Sequence, residues 1–219
     1  MVKPKVVVLF LLFFALWPSA APAPGAPVIL VLGDSLSAAY GIPRDAGWVS
    51  LLQRRLDTKK WDYRVVNASI SGETSRGGRY RIAPTLEEHR PAIVILELGG
   101  NDGLRGLSLA ETESNLAAII ETCRRYRATV VLVGMRLPPN YGKTYTGKFQ
   151  DVYSRLASSF RLPFVPFLLE GIADRPELFQ SDGIHPTAAA QPAILENVWK
   201  VLLPLLKHRK GRPDPLNAP

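Results

Sequence analysis

A chain of 219 residues with 47% apolar side chains and a formal charge of +8 can bury one substantial core. Its single cysteine, Cys123, excludes an intramolecular disulfide framework, and no Cys/His cluster has metal-ligand spacing, so no metal and no other cofactor is expected. Nucleic-acid binding has no support either, because the basic residues are not interleaved with aromatics in a known module.

Lys3 and Lys5 precede an apolar run, Val6 to Trp17, that is too short to span a bilayer comfortably. Small residues follow at Ser19, Ala20, Ala21, Ala23, Gly25 and Ala26. Together these read as a signal peptide over residues 1–25, which makes the mature chain periplasmic or secreted; the pattern does not fix the cut site, and a cut after Gly25 would put Ala23 and Gly25 at the small-residue positions. Prolines interrupt the small-residue stretch, and the alternative is an uncleaved membrane anchor. Residues 1–25 hold two lysines and no acids, so a chain starting at Ala26 carries +6.

Val28-Ile-Leu-Val-Leu-Gly33 is an apolar run that fits a fully covered strand. Gly33 lets the chain turn sharply, and a helix is expected to start next, with Asp34 or Ser35 able to cap it. Ser35 then sits where open α/β sheets bind ligands and where free N–H groups meet negative charge. After a loop from Tyr40 to Ala46, the residues Trp48, Val49, Leu51, Leu52 and Leu56 recur at helical spacing. Tyr63 to Ser69 reads as the second strand and ends in the turn-rich Ile70-Ser-Gly72-Glu-Thr74-Ser75. The helix expected over 74–88 takes Thr74 or Ser75 as N-cap. Pro91 to Leu98 is a buried third strand that runs into Gly99-Gly-Asn101-Asp102-Gly103. Leu109 to Tyr126 is helical, and Cys123 shares its apolar stripe with Leu116, Ile119 and Ile120, so a core thiol is expected.

Ala128 to Met135 is the fourth strand, and Arg136 to Gly147 is a loop with two prolines and two glycines. A helix over Phe149 to Phe160 precedes a fifth strand, Leu162 to Leu168, which Pro163 and Pro166 place near an edge or leave with few ladder bonds. After the turn Ser181-Asp182-Gly183-Ile184-His185-Pro186, a last helix begins at Thr187 or Gln191 and runs to about Leu206. Residues 207–219 carry four basic side chains against Asp214 and read as a solvated, disordered tail. The alternative for the tail is weak contact with an anionic membrane surface.

Strands alternate with helices at βαβ spacing. The expected fold is therefore one α/β domain over residues 26–206, with a mostly parallel five-stranded sheet covered on both faces. The loops holding Ser35, Gly72 and Asn101 then open at one sheet edge. Nothing in the pattern demands more than a monomer.

Ser35, Asp182 and His185 stand in one of the chain orders that build a catalytic triad. Asp182 and His185 are three apart around Gly183, so the turn can bring the carboxylate to one ring nitrogen and leave the other for Ser35. The plainer reading of His185 is a helix-start residue. An acyl-transfer site also needs donors for the oxyanion, and the Ser35 and Gly72 N–H groups and the Asn101 amide are candidates. Turn geometry for Gly72 and an Asx-turn for Asn101 are the simpler alternatives. No Gly-x-Ser-x-Gly pentapeptide occurs, so the nucleophile elbow of α/β-hydrolases has no support.

Gly33-Asp34-Ser35-Leu36, Gly72 in Asn67-Ala-Ser-Ile-Ser-Gly-Glu-Thr74, Gly99-Gly-Asn101-Asp102 and Asp182-Gly-Ile-His185-Pro together resemble the SGNH (Gly-Asp-Ser-Leu) hydrolase family. All four blocks appear in order. The stretches Gly33 to Tyr40, Val66 to Thr74, Glu97 to Gly106 and Arg136 to Gly142 look closer to the bacterial periplasmic acyl-CoA thioesterase/lysophospholipase/arylesterase branch. The resemblance implies a flavodoxin-like three-layer α/β/α sandwich. It implies Ser35 as nucleophile, His185 as base, Asp182 as its orienter, and Ser35, Gly72 and Asn101 as oxyanion donors. It implies that Asp34 supports the site and that the loop Asp102 to Leu107, with Gly103 and Leu104, moves over the acyl chain. The expected activity is hydrolysis of acyl esters and thioesters. A carbohydrate O-acetylesterase is the alternative among enzymes, and a catalytically silent lipid- or envelope-binding protein is the alternative outside them.

Overall fold

The computed structural model describes residues 25–210; the expected signal segment, apart from Gly25, and residues 211–219 of the expected tail lie outside the described residues. Strands β1 (Val28–Gly33), β2 (Arg64–Asn67), β3 (Ile93–Glu97), β4 (Thr129–Val133) and β5 (Phe164–Val165) form one sheet in the order β2-β1-β3-β4-β5. Every pairing is parallel, with Val31 opposite Asn67 on one side and Ile95 on the other. Helices flank this sheet: α1 (Trp48–Thr58), α2 (Ser75–His89), α3 (Gly100–Leu104), α4 (Leu109–Arg125), α5 (Lys143–Ser159) and α6 (Gln191–Lys210). The helices α2, α4 and α5 pack as one layer, and α1 packs against α6 as the other.

This layering explains the sequence pattern. Central strands β1 and β3 are buried at every residue, because helices cover both faces and leave no solvent side to alternate with. The edge strand β2 is only half-buried. There α1 supplies a cover: Gln53 accepts from the Val65 N–H at 2.7 Å and donates to the Tyr63 carbonyl at 3.1 Å. Cys123 is fully buried in the core, and burial pushes its thiol pKa up to about 12. Among the described residues no helix is long and apolar enough to cross a membrane.

Four local expectations change. No helix follows β1; the chain makes a single turn, with the Ala38 N–H bonded to the Asp34 carbonyl at 2.9 Å. Ala39 (φ 60) and Gly41 (φ 72) both take left-handed backbone, which ends that turn at once. The loop after β4 is shorter than expected. Pro138 caps and Pro139 opens a 3-10 turn, Pro139–Tyr141, and α5 then starts at Lys143 rather than Phe149. The fifth strand is two residues long at the sheet edge, where Pro163 and Pro166 have no N–H to pair. Finally, α6 runs to Lys210, so the first four residues of the expected tail are helical.

Candidate active site

The parallel sheet brings the loops after β1, β2 and β3 to one edge. Gly33 ends β1 where no side chain fits: a Cβ there would lie 2.6 Å from Glu97 Oε2 and 2.8 Å from Ser37 Cβ. In the turn that follows, Asp34 is buried, and its Oδ1 accepts the Leu36 N–H at 3.0 Å. Ser35 is half-buried at the crest of this turn.

A continuous line of hydrogen bonds reaches Ser35 from the loop before α6. Asp182 Oδ1 accepts the Ile184 N–H at 2.9 Å and the His185 N–H at 3.0 Å. Asp182 Oδ2 lies 2.6 Å from His185 Nδ1, and His185 Nε2 lies 2.9 Å from Ser35 Oγ. The His185 N–H, then its ring, then the Ile184 N–H hold the Asp182 carboxyl at a pKa of about 2. An ionised Asp182 fixes the tautomer: the proton sits on Nδ1, and Nε2 is left to accept from the Ser35 hydroxyl. Gly183 takes φ 67 to close the turn between the two residues. Gln180 ties this loop to the turn that carries Ser35, because its amide donates to the Tyr40 carbonyl at 2.9 Å and the Pro186 carbonyl at 3.1 Å. The Tyr40 ring lies 4.4 Å from the His185 ring and covers it.

On the other side of Ser35 stands Asn101, in the first turn of α3. Its amide nitrogen donates to Asp34 Oδ2 at 3.1 Å and to the Glu73 carbonyl at 3.0 Å. Asn101 thus bridges the turn that carries Ser35 and the loop that carries Gly72. Gly72 needs its φ of 79, and its carbonyl accepts from the Arg105 guanidinium at 3.1 Å. Among the described residues, no acceptor faces the Ser35 N–H or the Gly72 N–H.

Asp102, Gly103 and Leu104 belong to α3, so the irregular loop begins at Arg105 rather than Asp102. Asp102 points inward, and accepts the Ser75 N–H at 2.8 Å and the Ser75 hydroxyl at 2.5 Å. Gly103 is buried against Phe149 and Leu137, and its carbonyl accepts from the Tyr145 hydroxyl at 3.3 Å. Leu104 is half-buried, with its carbonyl accepting from Tyr141 at 3.0 Å.

Sequence reasoning missed Glu97, Arg105, Gln180 and the contact of Tyr40 with His185. Glu97 left one signal, a carboxylate inside an otherwise apolar buried strand. Its side chain is fully buried beneath the turn that carries Ser35. Burial, and after it the nearby Asp34 carboxyl, push the Glu97 pKa well above the carboxylate range. Burial also pushes Asp34 up to about 6, against the pull of the Leu36 N–H, His185 and Asn101. Among the described residues no group of three His, Cys, Asp or Glu is placed to hold a metal ion.

A profile of the GDSL-like Lipase/Acylhydrolase family matches residues 31–192. Esterase TesA of Pseudomonas aeruginosa is 52% identical over 181 residues, covering 83% of this chain and 90% of that protein. Thioesterase 1/protease 1/lysophospholipase L1 of Escherichia coli (strain K12) is 43% identical over 186 residues, covering 85% of this chain and 88% of that protein. A crystal structure of TesA matches with a TM-score of 0.80 at 52% identity, covering 81% of this chain and 99% of that one.

Proposed function

The chain belongs to the GDSL-like lipase/acylhydrolase family, and we propose that it hydrolyses acyl esters and thioesters with Ser35 as nucleophile, His185 as base and then acid, and Asp182 as the carboxylate that orients His185. The observation that carries these roles is the unbroken line Asp182–His185–Ser35, at 2.6 and 2.9 Å. His185 Nε2 takes the Ser35 proton as Oγ attacks the acyl carbonyl. The resulting imidazolium keeps its Nδ1–H on Asp182 and gives the Nε2 proton to the leaving alcohol or thiol. Water, deprotonated in turn by His185, then releases the acid and restores Ser35.

The negative oxygen of the tetrahedral intermediate is met by the unpaired N–H groups of Ser35 and Gly72 and by the Asn101 amide. In the free protein that amide is engaged by Asp34 and Glu73. Asn101 therefore shares one of those bonds with the oxyanion when substrate arrives. The exposed segment Arg105–Leu107 borders the acyl chain. Residues 1–25 direct the chain across the inner membrane, and the hydrolase works as a monomer outside the cytoplasm.

The test is turnover of p-nitrophenyl esters from acetyl to palmitoyl, and of an acyl-CoA, by wild type and Ser35→Ala side by side. Wild type should cleave both ester and thioester, and Ser35→Ala should lose about a thousandfold or more in kcat. Equal turnover by the two proteins would remove Ser35 from its role. Turnover confined to acetyl esters would move the substrate class to short acyl groups.

A further inference from the structure

We propose that Glu97 is a positioning residue for the reaction: from beneath the sheet edge, one of its oxygens fastens the nucleophile turn on both sides of Ser35 and so fixes where the serine hydroxyl meets His185. Glu97 Oε2 accepts the Asp34 N–H at 3.2 Å and the Ser37 hydroxyl at 2.6 Å. Ser35 and Leu36 lie between these two anchors. The turn closes on itself through the Ala38 N–H to the Asp34 carbonyl and the Tyr40 N–H to the Ser35 carbonyl, and Ala39 and Gly41 end it before a second helical turn can add to these. Gly33 leaves the carboxyl room to reach the turn. The inference rests on the reading of Ser35 as nucleophile.

Glu97 does this work as the uncharged acid. It is fully buried, and among the described residues its Oε1 has no hydrogen-bond partner and no Lys or Arg contributes to its electrostatics. The groups that act on it are acidic or phenolic: Asp34 of the nucleophile turn and Tyr153 of α5, with Asp102 of α3 and His185 acting on Asp34 in turn. An ionised carboxylate there would be buried without compensation. A neutral acid can still accept both bonds through its carbonyl oxygen, and a glutamine would do the same.

The experiment compares wild type, Glu97→Gln and Glu97→Leu on a short p-nitrophenyl ester, with Ser35→Ala alongside. Glu97→Leu should lower kcat about tenfold or more with KM changed less than about twofold, and Glu97→Gln should recover kcat to within about threefold of wild type. The midpoint of the rising limb of kcat/KM against pH should coincide in wild type and Glu97→Gln, because no charge has been removed near His185. Should Glu97→Leu fail to fold, Ser37→Ala loosens the same bridge and should lower kcat while leaving KM in place. Full kcat in Glu97→Leu or Ser37→Ala would overturn the proposal, and so would a Glu97→Gln as impaired as Glu97→Leu. A midpoint lowered by about half a unit in Glu97→Gln would show a working carboxylate and overturn the neutral form. Retained turnover in Ser35→Ala would instead defeat the nucleophile reading on which the inference stands.

Discussion

Asn101 has its two amide hydrogens committed to Asp34 and Glu73 before any substrate arrives. Those two bonds hold the side chain in one orientation, and in the proposed reaction one of them is shared with the oxyanion. Asn101→Ala should lower kcat about a hundredfold with a smaller change in KM; an unchanged kcat measured on a p-nitrophenyl ester would remove it from the oxyanion site. Asp34 sets a second expectation. Its folded pKa of about 6 lies above its ordinary 3.8, so the native state binds more protons than the unfolded state between those values. Its contribution to stability is therefore complete below about pH 4 and is lost as pH rises through about 6. Asp182 acts with the opposite sign, contributing above about pH 4 and losing that contribution as pH falls through about 2. Thermal unfolding of wild type should thus decline in midpoint from pH 4 to 6 relative to Asp34→Asn; parallel curves for the two proteins would contradict the shift. At this scale the meeting of Ser35, Asp182 and His185 was legible in the sequence, because their chain order and the three-residue spacing of Asp182 and His185 are visible there. It was nearly silent on Glu97, because a residue's burial beneath a turn is a property of the fold and not of its neighbours in sequence.

Among the elements, α3 does most to place the site. Five residues long, it cannot persist on its own and is held by what surrounds it. Asp102 ties it to the start of α2 through two bonds to Ser75, where a carboxylate also complements the helix dipole. Tyr141 and Tyr145 hold its other end by the Leu104 and Gly103 carbonyls. Replacing Asp102 by Ala leaves the Ser75 N–H buried without an acceptor, and denaturant unfolding should show a loss of about 2–4 kcal/mol. A loss below about 0.5 kcal/mol would mean that α3 is anchored elsewhere. The sequence showed Gly99 to Gly103 as a turn because two adjacent glycines mask so short a helix. The early start of α5 was hidden in the same way by Pro138, Pro139, Gly142 and Gly147, which look like one long loop until the prolines are confined to a 3-10 turn.

Across the whole molecule, the wholly parallel sheet is what gathers the chemistry. Each strand of such a sheet delivers its carboxyl-terminal loop to the same edge, so residues 35, 72 and 101 meet although each belongs to a different βα unit. The layer order was legible from alternating strands and helices, and the five strands from their apolar runs. The strand order and the edge position of β2 were not, because pairing between distant segments leaves no local pattern. The proposed role of Ser35 requires a covalent acyl group on its Oγ during turnover. The most direct measurement is intact-mass and peptide-mapping mass spectrometry after brief reaction with a fluorophosphonate or a slowly hydrolysed p-nitrophenyl ester. One adduct per chain is predicted, on the peptide that contains Ser35, abolished in Ser35→Ala and formed far more slowly in His185→Ala. An adduct on any other residue, or hydrolysis by Ser35→Ala at the wild-type rate, would contradict Ser35 as the nucleophile.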